Sequence, residues 1–318
     1  MMNFLKTIGT GAWRGTRAFL KLMMVVGPVY TVMTILKFTP VLGMFANFMA
    51  PYMRFFRLPG EAAMALILGN FINIYASLGV IIALRLPRPQ LTVLSLMLLI
   101  SHSQLLESAV FFQIRAKWWL LWFIRLIVAL LVGIGLGALI VPAGMMTGGT
   151  IGPGSEYARP LKQFSFLPAL KEWGLGLYST GVKMLLVLVA IFIVLELARR
   201  FGVLERVLNA IQKVIGFMGF SREAGMPWLA GNVFGIVFGA GVITETVREG
   251  RLSPKQVTLV ASFLALCHGL FEDTAIFVVM GANLFWILVP RIVLAVIVTW
   301  VLSRILKDSA LTRDGGRG

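Results

Sequence analysis

Charge is scarce in this chain. Asp, Glu, Lys and Arg make up 13% of its 318 residues, against about 25% in a soluble globular domain. Acids are the scarcer sign, 13 against 29 basic residues. Cysteine occurs once, at Cys267, and histidine twice, at His102 and His268. One cysteine excludes an internal disulfide and any multi-cysteine metal cluster. The chain has no Gly-x-x-x-x-Gly-Lys-Ser/Thr loop, nucleophile elbow or paired-carboxylate spacing, so the usual signatures of nucleotide and acyl-transfer chemistry are missing. Ser101 and Ser103 flank His102, but sequence neighbours do not share a helix face. The expectation is a protein that is not an enzyme and carries no cofactor.

What the chain has in excess is apolar. Hydrophobic residues make up 58%, and several stretches near 20 residues are long enough to cross a bilayer as helices. The formal net charge of +16 does not point to nucleic acid, because the basic residues fall in short clusters between apolar segments. That is the pattern of the positive-inside rule. Crossing helices are expected near 18–38, 90–113, 118–141, 176–199, 256–282 and 284–305. Residues 1–17 form a basic, mildly amphipathic stretch suited to the cytoplasmic surface, where Lys6, Arg14 and Arg17 meet anionic lipid. Membrane lipid is thus the first expected partner, and the cell inner membrane the expected location.

The chain also repeats itself. Glu61-Ala62-Ala63-Met64, Gly69-Asn70 and Gly79-Val80-Ile81 recur 162 residues later as Glu223-Ala224-Gly225-Met226, Gly231-Asn232 and Gly241-Val242-Ile243. The match reaches back to Lys21 and Lys183. Beyond a four-residue insertion the offset becomes 166, and Leu98, His102, Ala109, Phe111 and Arg125 meet Leu264, His268, Ala275, Phe277 and Arg291. Glu107-Ser108 meets Asp273-Thr274. Internal duplication in an apolar chain marks many transporter folds.

Two further segments, 60–84 and 222–246, are apolar but interrupted by Gly and Asn, residues that tolerate helix-ending conformations. Read as re-entrant hairpins of two half-helices, they leave six crossings, with 18 basic residues inside and eight outside. Read as full spans, they give 16 and 10 and strand the Arg199–Arg222 cluster outside. The hairpin reading fits the charge bias better. Each repeat then crosses three times, so the second lies inverted relative to the first. The expected fold is an all-α polytopic membrane helix bundle with two inverted repeats. Each has an interfacial helix (40–58, 201–220), a broken hairpin and three crossings. Its order is a cytoplasmic segment 1–17, repeat 1 over 18–141, an external linker 142–175, repeat 2 over 176–305 and a cytoplasmic tail 306–318.

Ionisable groups at membrane depth are costly and default to a functional reading. On a continuous helix, His268 and Glu272 lie one turn apart on one face. Glu272 has no duplicated partner, since its counterpart is Leu106. Histidine titrates near neutral pH, which suits these two residues and His102 to proton or cation handling. Should a metal bind, His268, Glu272 and His102 are its expected ligands. Glu107 with Arg125, and Asp273 with Arg291, sit at matching depths on adjacent antiparallel helices and are expected as structural ion pairs. At the hairpin tips Asn70, Asn73 and Asn232 offer amides beside unwound backbone. Thr274 joins them as a candidate contact to a substrate or ion. Glu61 and Glu223 open the hairpins and complement helix N-termini.

The duplicated hairpin with Gly69-Asn70 and Gly231-Asn232, followed by helices holding His102–Phe111 and His268–Phe277, resembles the nucleoside-recognition, or Gate, domain. That domain occurs in concentrative nucleoside carriers, in the membrane part of the ferrous-iron uptake protein B and in spore maturation proteins A and B. The resemblance covers most of residues 20–305. It implies an α-helical membrane protein with a transport-like core. The function expected first is secondary transport of a small polar solute or ion. The alternatives are a non-transporting assembly or envelope-maturation protein and a divalent-metal permease. A homo-oligomer is left open.

Overall fold

The computed structural model describes residues 2–37, 39–145, 166–203, 206–207, 210 and 215–307. Among them are thirteen α-helices and no strand. The protein is an all-α polytopic bundle. Five helical segments are long and apolar enough to cross a membrane: Phe4–Leu36, Arg88–Gln113, Trp118–Ile140, Leu167–Arg200 and Leu284–Ile305.

The chain forms two compact units that exchange segments between the repeats. Unit 1 holds Met1–Leu105, Leu126–Arg200 and Phe271–Val289. Unit 2 holds Leu106–Arg125, Phe201–Leu270 and Pro290–Gly318.

Unit 1 is built on α1 (Met2–Leu36) and α8 (Phe166–Arg200), 35 residues each. At 1.5 Å per residue each is about 52 Å long, well beyond a hydrocarbon core of about 30 Å. They pack antiparallel at very close range. A Cβ on Gly11 would sit 2.6 Å from the Ile193 Cα, and one on Gly15 2.6 Å from the Val189 Cα. Small residues four apart let two backbones approach in this way. Arg14 closes the same seam on Glu196 at 2.6 Å. Two sequence boundaries therefore move. Residues 2–17 belong to the same helix as the first expected crossing, and residues 166–175 of the expected linker are helix. The rest of that linker, 146–165, lies outside the described residues, as do much of 201–220 and the tail beyond 307.

A short helix follows α1, as α2 (Pro40–Met53) with a 3-10 turn Arg54–Phe56. The hairpin is next. α3 (Ala62–Phe71) and α4 (Ile74–Leu84) are separate short helices. The chain breaks at Asn73, whose extended backbone (φ −170°, ψ 169°) lets its side-chain oxygen accept from the Ala76 N–H at 2.9 Å. Such a cap satisfies one orphan donor of the new helix. α5 (Arg88–Ser101), the first residues of α6 (Gln104–Gln113) and most of α7 (Trp118–Ile140) complete the first half of the chain in this unit.

Unit 2 contains the second hairpin, α9 (Gly225–Phe234) and α10 (Ile236–Arg248), broken at one residue, Gly235. Its φ of 86° with ψ of 168° is a region essentially restricted to glycine. The halves touch closely, because a Cβ on Gly239 would meet the Gly231 Cα at 2.7 Å. α11 (Pro254–Leu266) follows. The chain then passes into α12 (Glu272–Val279) of unit 1 and returns through α13 (Leu284–Ile305), which enters unit 2 at Pro290.

One expectation fails here. The segments 90–113 and 256–282 are not continuous helices. The first stops at Ser101 and restarts at Gln104, and the second stops at Leu266 and restarts at Glu272. Ser103 (φ 52°) and Gly269 (φ 55°) turn the chain at matching positions in left-handed conformation.

Candidate functional site

The breaks explain where the polar side chains go. A helix end leaves its last carbonyls and the next helix its first N–H groups without intrahelical partners. Inside a bilayer no water satisfies such groups. In unit 2 the Leu264 carbonyl accepts from Nδ1 of His268 at 2.7 Å. The Leu266 and His268 carbonyls accept from the Arg291 guanidinium, at 2.9 and 2.5 Å. Leu270 N–H donates to the Asn232 carbonyl of the hairpin at 3.1 Å. A cation at a helix C-terminus also complements the local dipole. Arg291 thus holds the broken backbone open.

Beside it lies a buried cluster. Arg125 pairs with Glu107 at 2.9 Å, with side chains 0% and 2% exposed. The second carboxylate oxygen of Glu107 lies 3.4 Å from Nε2 of His268. Because a carbonyl can only accept, Nδ1 of His268 carries a hydrogen, and Nε2 is the ring nitrogen that faces Glu107. Two lone pairs facing each other at that range repel. A proton on either atom turns the contact into an attraction. Glu107 and His268 therefore form a natural one-proton site, with Arg125 balancing the carboxylate.

Unit 1 repeats the backbone half of the arrangement. Nδ1 of His102 donates to the Leu98 carbonyl at 2.8 Å. Ser103 N–H donates to the Gly69 carbonyl of the hairpin at 2.8 Å. Glu272 and Asp273 occupy the first turn of α12, where acids suit a helix N-terminus. The Tyr75 hydroxyl donates a hydrogen bond to Glu272.

Set against the sequence, the expected Glu107–Arg125 pair is present. The expected His268–Glu272 face is not, because the helix that would align them is broken between them. His268 turns to Glu107 and Glu272 to Tyr75. Among the expected metal ligands His268, Glu272 and His102, Glu272 accepts a hydrogen bond from Tyr75. Asp273 belongs to unit 1 and Arg291 to unit 2, so that expected pair spans the two units. The hairpin asparagines bond back to their own helices, Asn70 to the Leu66 carbonyl at 2.7 Å and Asn232 to the Trp228 carbonyl at 2.9 Å. Asn73 is the cap of α4. The buried Asn70 side-chain oxygen and the Thr274 hydroxyl have no hydrogen-bond partner among the described residues. Glu61 is buried, whereas Glu223 is exposed. Hydrogen bonds from its own backbone N–H and from Ser221 hold the Glu223 carboxyl below the usual carboxylate range. Tyr75 was missed, since one tyrosine in an apolar half-helix carries no sequence signal.

Fold and cluster define an integral membrane protein of polytopic helical type. The chain is similar to the uncharacterized membrane protein YvoD of Bacillus subtilis (strain 168), with 29% identity over 289 residues covering 89% of each chain. No family model matches the chain, and no solved structure matches it.

Proposed function

We propose that the protein is a secondary transporter of a small polar solute or ion, coupled to protons through Glu107 and His268. The observation that carries the reading is the buried contact between Nε2 of His268 and a carboxylate oxygen of Glu107. Binding or losing one proton there changes the charge of a dry cluster by one unit. With an effective dielectric near 20, two unit charges about 4 Å apart interact by about 4 kcal/mol. That is enough to shift a two-state equilibrium roughly a thousandfold. Broken half-helices beside the cluster add backbone groups able to meet a polar ligand. The resemblance of the hairpins to the Gate domain of nucleoside carriers supports a transport core. In this reading the protein sits in the cell inner membrane with both termini cytoplasmic, and the second repeat is inverted.

Two experiments test it. Reconstituted protein is challenged with a panel of polar solutes under a pH gradient, and charge movement is recorded on solid-supported membranes. Solute-dependent currents are expected in the wild type and are lost in Glu107→Gln at equal protein levels. Currents that persist in the variant sink the coupling, and no current with any solute favours a non-transporting assembly role. For topology, Arg88→Cys and Arg251→Cys are labelled from each side in a Cys267→Ser background. Residue 88 is expected outside and 251 inside.

A further inference from the structure

A second polar feature lies wholly within unit 1. A cavity of about 310 Å³ lies among residues of α1, α4, α8 and the end of α12. Its lining is mixed: Arg85, Lys183, Tyr30 and Thr180 supply cationic and hydroxyl groups, and Ile82 and Met280 are apolar. Gly176 leaves room for the wall to be polar, since a Cβ there would sit 2.4 Å from the Tyr30 hydroxyl.

The charges do not cancel. Arg85 is matched by Glu172 at 3.0 Å. No carboxylate pairs with Lys183 among the described residues. Lys183 lies 11 residues further along α8 than Glu172, or roughly 16 Å along its axis. It is exposed and lines the cavity, so its ammonium is available to an anion held there. Its repeat counterpart, Lys21, does not line the cavity, so the duplication alone does not account for it. Arg85 itself sits in a left-handed conformation, φ 50°.

We propose that this cavity binds a small organic anion, with its carboxylate on Lys183 and its apolar body against Ile82 and Met280. At about 30 Å³ per water-sized group, the cavity accepts roughly ten non-hydrogen atoms. The mixed lining, cationic and hydroxyl groups together with apolar side chains, selects an organic carboxylate over a fully hydrated inorganic anion. This site stands on unit 1 alone and is read by equilibrium binding, so its failure and that of proton-coupled transport are separate results.

The test is calorimetric titration of the full chain in phosphatidylcholine nanodiscs with benzoate as probe. Millimolar binding is expected, weakened at least about tenfold in Lys183→Met, as loss of a charge-assisted contact predicts, and kept in Lys183→Arg. Thermal unfolding checks that both variants fold. Should Lys183→Met not fold, competition on the wild type decides: acetate and butyrate displace benzoate, and inorganic phosphate does not. Undetectable benzoate binding to the wild type, equal binding by a folded Lys183→Met, or displacement by phosphate overturns the proposal. Loss of binding on adding phosphatidylglycerol to the nanodiscs also overturns it, because the occupant is then a lipid headgroup.

Discussion

The two hairpins come from one duplicated sequence and break their helices by different chemistry. At Asn73 the backbone is extended and a side chain caps the second helix. At the matching Gly235 the backbone takes a conformation only glycine adopts easily, and no side chain caps anything. Around them the repeats agree atom by atom. Gln90 donates to the Arg57 carbonyl at 3.1 Å, and its counterpart Gln256 to the Gly219 carbonyl at 2.9 Å. A Cβ on Gly69 or on Gly231 would meet Leu98 or Leu264 respectively, each at 2.4 Å. The duplication has thus preserved geometry and let the means drift. The interrupted helix is the shared feature, and capping and glycine are two routes to it.

The largest effect expected is in the buried cluster. Arg125→Leu leaves Glu107 without its partner and costs about 3–5 kcal/mol, read as a fall in thermal stability in detergent. If the variant unfolds with the wild type, Glu107 is not held by that ion pair. Next is the contrast between the hairpins. Gly235→Ala forces a Cβ into a glycine-only conformation and costs roughly 1–3 kcal/mol, whereas Asn73→Ala loses one cap, about 1 kcal/mol. A larger loss at Asn73 would reverse the comparison. The turns at the second break give a smaller and opposite pair. Ser103→Gly relieves a left-handed non-glycine residue and is expected to be neutral or to stabilise, while Gly269→Ser destabilises by about 1 kcal/mol. The smallest effect is at Glu223. Its carboxyl titrates below the ordinary range, so its contribution is present above the unfolded carboxylate pKa and fades as pH falls through the folded one. Glu223→Gln should remove that acid sensitivity and change little at neutral pH. Melting curves between neutral and acid pH compare the two.

Protonation can be read directly, because the chain has two histidines. In protein labelled with 15N-histidine, both rings are expected to carry hydrogen on Nδ1. The Nε2 signal of His268 is expected to shift in Glu107→Gln. An Nε2–H tautomer at His268 in the wild type would remove the basis of the one-proton site.

Much of this was legible from residue order. Scarce charge and long apolar stretches make a helical membrane bundle the low-energy outcome, since only helices satisfy their own backbone in lipid. The 162-residue offset exposed the duplication, Gly and Asn marked the hairpin breaks, and matched depth on neighbouring helices paired Glu107 with Arg125. Residue order did not reveal the breaks at His102–Ser103 and Cys267–Phe271. Those segments are apolar and helix-compatible locally. They open because hairpin carbonyls and the Arg291 guanidinium, remote in sequence, satisfy the freed backbone groups. Once a helix breaks, four-residue spacing no longer places two side chains on one face, and His268 meets an acid 161 positions away. Composition and repetition decided class and architecture, which depend on average hydrophobicity. The partner of each buried ionisable group was decided by tertiary packing, because it depends on where a backbone interrupted in lipid finds its hydrogen bonds.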